Sequence, residues 1–110
     1  MPVPARDRLA AMTKDLGSQA EVARTLGVSR SRISRWLKDE EPDLVNLRKL
    51  EGVEFIFARL LQTFEPSTAR KWLTGVNAHL GDRRPVDLLR QGRVRDVLVA
   101  IEAEETGAYA

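Results

Sequence analysis

The stretch "GVSRSRISRWL", residues 27–37, places three arginines and three serines around a thin apolar stripe. Arginine grips guanine edges and phosphate oxygens with two parallel hydrogen bonds, and serine donates a hydroxyl to phosphate or to a base edge. Wound as a helix, the stretch puts Ile33, Trp36 and Leu37 on one face and Ser31, Ser34, Arg35 and Lys38 opposite, with Arg30 and Arg32 on the flanks. The outward face carries flexible cations and small donors, and no apolar residue that would suit a protein groove. This inventory matches DNA. Gln19, Ser29 and Lys38 read as residues that position phosphates, and Arg30, Ser31, Arg32 and Arg35 as those nearest the bases. The alternative is a solvated basic face, and the neighbouring sequence decides between them.

That face needs a scaffold, and residues 18–38 spell one. In "SQAE" Ser18 caps a helix while Glu21, three residues on, is placed to reach back in a capping box. Gln19 opens the helix, where free backbone N–H groups favour a phosphate. Val22, Ala23 and Leu26 form its inner face, with Ala23 small enough for close helix contact. Gly27 supplies a turn with positive φ, Val28 plugs the corner, and Ser29 caps a helix expected to run to about Lys38. This is the spacing of a helix-turn-helix. Upstream, Leu9, Met12 and Leu16 share one helix face, closed by Gly17.

Downstream, "DEEP" at 39–42 breaks the pattern, with Pro42 ending any helical continuation. From Asp43 to Phe64 the pattern is helical and broadly apolar, with a stripe of Leu44, Leu47, Leu50, Phe57, Leu60 and Leu61. Phe55, Ile56 and Phe57 are consecutive and so point three ways, which predicts burial on more than one side, in a core or an oligomer interface. A helix opens at Pro66 with Trp72 and Leu73 as core residues. Gly75 and Gly81 bracket a loop, and Pro85 opens a short helix bearing Leu88 and Leu89. After Gly92, Val94, Val97, Leu98 and Ile101 recur at helical spacing. The expected fold class is all-α, divided into a helix-turn-helix lobe at 1–42, a central apolar helix at 43–64 and a C-terminal helical domain with a tail at 65–110.

Composition narrows the chemistry. Residues 19–38 carry a net charge of +4 and residues 96–110 one of −4, so the two ends suit different partners. With no cysteine, disulfides, thiolate metal sites and cysteine nucleophiles are excluded. His79 stands alone with no triad or metal-ligand spacing around it, Asp82 and Asp87 read as ordinary loop carboxylates, and no phosphate-cradling glycine motif occurs. A non-enzyme without metal or cofactor is expected. The opening residues lack the apolar core of a secretory leader, and "VEFIFARLL" is too short for a membrane span, so the expected setting is cytoplasmic, away from any membrane.

Three further segments, "ARKWL" (69–73), "NAHLGDRRPVDLL" (77–89) and "VLVAIEAEETGAYA" (97–110), resemble the toxin-binding domain of the Xre/MbcA/ParS antitoxin family. Ala69, Trp72, Leu73, Asn77, Leu80, Gly81, Pro85, Leu88, Leu89, Val97, Ile101, Glu102, Gly107 and Tyr109 carry the likeness, and with the helix-turn-helix in front it covers nearly the whole chain. Val76, in a position where the family often has proline, and the loop "RQGRVRD" depart from the pattern. The resemblance implies an antitoxin of a RES-Xre system that neutralises a RES-domain toxin consuming NAD and represses the shared promoter. It further implies that Glu102, Glu105, Thr106, Gly107, Ala108, Tyr109 and Ala110 dock at the toxin's active-site entrance. A homodimer, or a larger hetero-oligomer with toxin, is the expected assembly. The competing reading is a stand-alone helix-turn-helix transcriptional regulator. From the residues alone, the acidic end reads as a solvated terminus whose carboxylates oppose the helix dipole.

Overall fold

The computed structural model describes residues 2–107. Seven α-helices follow one another among them: α1 (Ala5–Leu16), α2 (Gln19–Leu26), α3 (Arg30–Trp36), α4 (Leu44–Leu61), α5 (Pro66–Thr74), α6 (Pro85–Arg90) and α7 (Val94–Thr106). A single 3-10 turn, Ala78–Leu80, lies between α5 and α6. Among the described residues the only β pairing is an isolated bridge between Asn77 and Arg83. The all-α expectation holds.

The helix boundaries follow local chemistry. Ser18 Oγ accepts from the Glu21 amide at 3.1 Å, as a cap should. The reciprocal half of the capping box is absent. Glu21 Oε1 accepts instead from Arg84 Nη2 at 2.6 Å, because a guanidinium outcompetes a neutral backbone amide for a carboxylate. Gly27 closes α2 in the left-handed region at φ 72°, and the Val28 amide returns to the Ala23 carbonyl at 2.9 Å. The third helix is shorter than its pattern suggests. It stops at Trp36 because the amides of Lys38, Asp39 and Glu40 all converge on the Arg35 carbonyl, tightening the chain into turns before Pro42.

One continuous cluster of buried side chains runs from Leu9, Met12 and Leu16 on α1 to Val97 and Ile101 on α7. Within it α2 packs against α1 and α3 on one side and α6 on the other, so the helix-turn-helix unit and the C-terminal helices share a core. Two ion pairs cross that seam: Glu21 with Arg84, and Arg24 with Asp87 through two bonds of 3.1 Å each. The hydrogen bonds from Arg24 hold the Asp87 carboxyl below its ordinary range. Asp87, read as a loop carboxylate, is in fact the α6 half of this contact.

The central helix corrects the expected stripe. Leu50, Val53, Ile56, Phe57 and Leu60 are buried, whereas Leu44 is 61% exposed and Leu61 43%. At about 100° per residue Leu44 points about 180° away from Val53, the middle of the buried face, and so meets solvent, while Leu61 falls at the edge of that face. Phe55 is 53% exposed while Ile56 and Phe57 are buried, so the aromatic run meets the core on two of its three sides. Trp72 is half-buried rather than core, and Leu73 beside it is fully buried.

Candidate functional site

The basic helix is built from its N-terminus. Ser29 is extended at φ −76° and ψ 156°, and its Oγ accepts from the Arg32 amide at 3.2 Å, which starts α3. Ile33 and Trp36 anchor the helix in the core. Their burial fixes the opposite face outward, where Arg30, Ser31 and Arg35 are exposed. α3 packs on α1 and α2. Gln19 at the start of α2 accepts from Ser34 Oγ through its Oε1 at 3.3 Å, tying the expected phosphate-positioning residue to the middle of α3. Ser34, placed on the open face by the helical wheel, is half-buried by that contact.

The arginines differ from one another. The Arg32 guanidinium lies 5.0 Å from the Trp36 ring centroid and 3.7 Å from Asp43 Oδ1, a seat that turns it along the side of the helix. Arg35 Nε donates to Glu40 Oε2 at 3.1 Å. Arg30 makes no ion pair among the described residues. Lys38 lies exposed just past the helix end. The face is thus cationic but partly screened by two acids, Glu40 from the break at 39–42 and Asp43 from the start of the expected central helix. Exposed pairs of this kind contribute about 0–1 kcal/mol, so phosphate can displace them.

The acidic end of α7 is arranged differently. Glu104 Oε1 accepts from Trp72 Nε1 at 3.2 Å. Glu105 accepts from both Nη atoms of Arg59, and its Oε2 also accepts from Thr63 Oγ1 at 2.8 Å. The Arg59 hydrogen bonds, then that of Thr63, hold the Glu105 carboxyl below its ordinary range. Two of the three carboxylates that seemed to oppose the helix dipole are therefore engaged by α4 and α5, and Glu105 is bound within the chain. Glu102 is exposed. Thr106 donates its hydroxyl to the Ala103 carbonyl at 3.3 Å, and Gly107 ends the helix in the left-handed region at φ 65°. Ala108, Tyr109 and Ala110 lie outside the described residues.

At this end sequence reading missed Arg59 and Thr63, and read Trp72 as core rather than as a partner of Glu104. A lone arginine inside the apolar run "VEFIFARLL" was the available signal, since such a cation needs a partner. Beside the α7 terminus, Lys71, Trp72, Gly75, Val76, Asn77, Ala78 and His79 line a shallow groove closed by Glu104. Buried Asn77 shapes its wall, accepting from the His79 amide at 2.9 Å. Among the described residues no cluster of His, Asp or Glu is placed to hold a metal ion, and no helix is long and apolar enough to cross a membrane.

Fold and site together define a helix-turn-helix protein with a C-terminal helical domain packed on it. The comparisons agree, matching residues 11–53 to the helix-turn-helix family and residues 59–103 to the antitoxin Xre/MbcA/ParS C-terminal toxin-binding domain. A probable mycobacterial cidal antitoxin of Mycobacterium tuberculosis is 31% identical over 93 residues, 84% of this chain and 79% of that one. The mycobacterial cidal antitoxin MbcA of Mycobacterium bovis and of M. tuberculosis is 27% identical over 90 residues, 81% of this chain and 80% of its own. The chain belongs to the Xre/MbcA/ParS antitoxin family. Its fold is shared with a chain of the crystal structure of the M. tuberculosis MbcT–MbcA toxin–antitoxin complex, at TM-score 0.76, 24% identity and 96% coverage of each chain.

Proposed function

We propose that this chain neutralises a RES-domain toxin that consumes NAD, its C-terminal end docking at the entrance of the toxin's active site. The match of residues 59–103 to a toxin-binding domain carries this reading. The mycobacterial relatives, themselves antitoxins by name, support it. Of the tail set, Glu102, Thr106 and Gly107 lead to Ala108, Tyr109 and Ala110, while Glu105 serves the fold behind them. Tyr109 would bring an apolar body with a polar tip, the kind of side chain that anchors an interface.

The helix-turn-helix half supplies operon repression in this proposal, with Gln19, Ser29 and Lys38 on phosphates and Arg30, Ser31, Arg32 and Arg35 facing the bases of an operator. The division of labour follows the chain: 1–42 for DNA, 43–64 as the central helix, 65–110 for the toxin. The protein acts in the cytoplasm as a homodimer or in a larger hetero-oligomer with toxin, and carries out no catalysis itself.

The deciding experiment measures NAD loss caused by the protein encoded beside this chain, alone and with either the full chain or residues 1–105. Protection by the full chain alone is the expected result. Equal protection by both would remove the tail from the mechanism. Protection by neither would leave a stand-alone regulator whose working surface is α3.

A further inference from the structure

The last turn of α7 is held from two sides by side chains of other helices. Arg59 and Thr63 on and just beyond α4 grip Glu105, and Trp72 on α5 grips Glu104. Both carboxylates stand at a helix end, where free backbone carbonyls already carry partial negative charge. Unpartnered, they would favour fraying of the final turn. Partnered, they tie it to α4 on one side and α5 on the other. Gly107 then closes the helix in the left-handed region, with its amide directed to the Ala103 and Glu104 carbonyls. The direction in which the chain leaves the fold is therefore set by α4 and α5.

We infer that Arg59, Thr63 and Trp72 are positioning residues for toxin neutralisation: by holding Glu105 and Glu104 they keep the last turn of α7 ordered as the base of the toxin-docking end. The inference rests on the proposed docking of the C-terminal end. Its physical basis is pre-organisation. A segment whose base is already ordered loses less conformational freedom on docking, and the gain appears mainly in slower dissociation of the complex.

The test measures affinity for the toxin encoded beside this chain, using the full chain and residues 1–107, each with and without Arg59→Gln. Arg59→Gln is expected to weaken the full chain about tenfold, a coupling ordinary for residues of one hydrogen-bond network. It should leave residues 1–107 unchanged, since nothing remains to be positioned. The exchanged pair Arg59→Glu with Glu105→Arg should recover most of the loss. Thr63→Val, which removes a hydroxyl and no charge, should give a smaller loss of the same kind and replaces Arg59→Gln should that variant fold poorly. Equal weakening in both lengths, or none in either, overturns the inference while leaving the docking reading intact. Identical affinities for the full chain and residues 1–107 would overturn the docking reading and this inference with it.

Discussion

On α3, Arg35 reaches Glu40 five residues away, and Arg32 reaches Asp43 at 3.7 Å. On α7, Glu105 reaches Arg59 across 46 residues of sequence, and Glu104 reaches Trp72 across 32. The Arg35–Glu40 side chains are 52% and 54% exposed, against 27% and 21% for Arg59–Glu105. Local, exposed pairs cost little to exchange, so the basic face can give its partners up to phosphate. Long-range pairs with several hydrogen bonds hold elements together instead. A cluster of like charge in sequence thus marks a free surface at one end of the molecule and a fastening at the other.

Loss of the basic face should have the largest effect. Replacing Arg30, Arg32 and Arg35 together with alanine is expected to abolish binding to the chain's own promoter while leaving toxin neutralisation in place. In the unaltered protein, promoter affinity should fall steeply with added salt, as counterion release requires. Unchanged promoter binding in the triple variant would make α3 a solvated surface and end the contrast. Next comes the anchor beneath the face. Trp36→Ala should cost about 3–5 kcal/mol in a urea titration, because it empties a fully packed site and removes the ring on which Arg32 rests.

A smaller effect sharpens the comparison. Glu40→Gln frees Arg35 and should raise promoter affinity two- to fivefold, about what an exposed pair is worth. A loss instead would mean that Glu40 positions Arg35 for DNA. The smallest effect is acid dependence. Asp87 and Glu105 are held below their ordinary carboxyl range by Arg24 and Arg59, so the folded state binds these protons less readily than the unfolded chain. Their stabilisation is complete above the unfolded value of about 4 and is lost as pH falls through the lower folded value. Burial raises the Asp15 carboxyl and acts with the opposite sign, offsetting part of that loss. Thermal melts between pH 7 and pH 2 should show a flat region and then a decline, and Arg24→Gln should make the decline shallower.

The helix-turn-helix was legible in detail because every signal in it is local. Ser18 and Ser29 cap helices three residues ahead of them, and Gly27 turns the chain at its own φ. Ile33 and Trp36 lie a single turn apart on one face. The central helix was legible as a helix but not in its orientation. Which side of it is covered depends on α5, α6 and α7, and none of these is encoded within residues 44–61. Glu21 shows the same limit on a smaller scale. Its spacing from Ser18 promised a capping box, and Arg84, 63 residues away, took the carboxylate.

By itself the sequence determined an all-α chain, its caps and turns, the buried faces of the short helices, and the cationic face of α3. Each of these follows from the spacing of residues within one or two turns. The tertiary structure alone decided which charges are free. It seated Arg32 on Trp36, joined Glu21 and Arg24 to α6, and made Glu105 the fastening of the last helix. The reason is physical: a charge seeks the nearest strong partner in space, and proximity in space is set by how helices pack rather than by position along the chain.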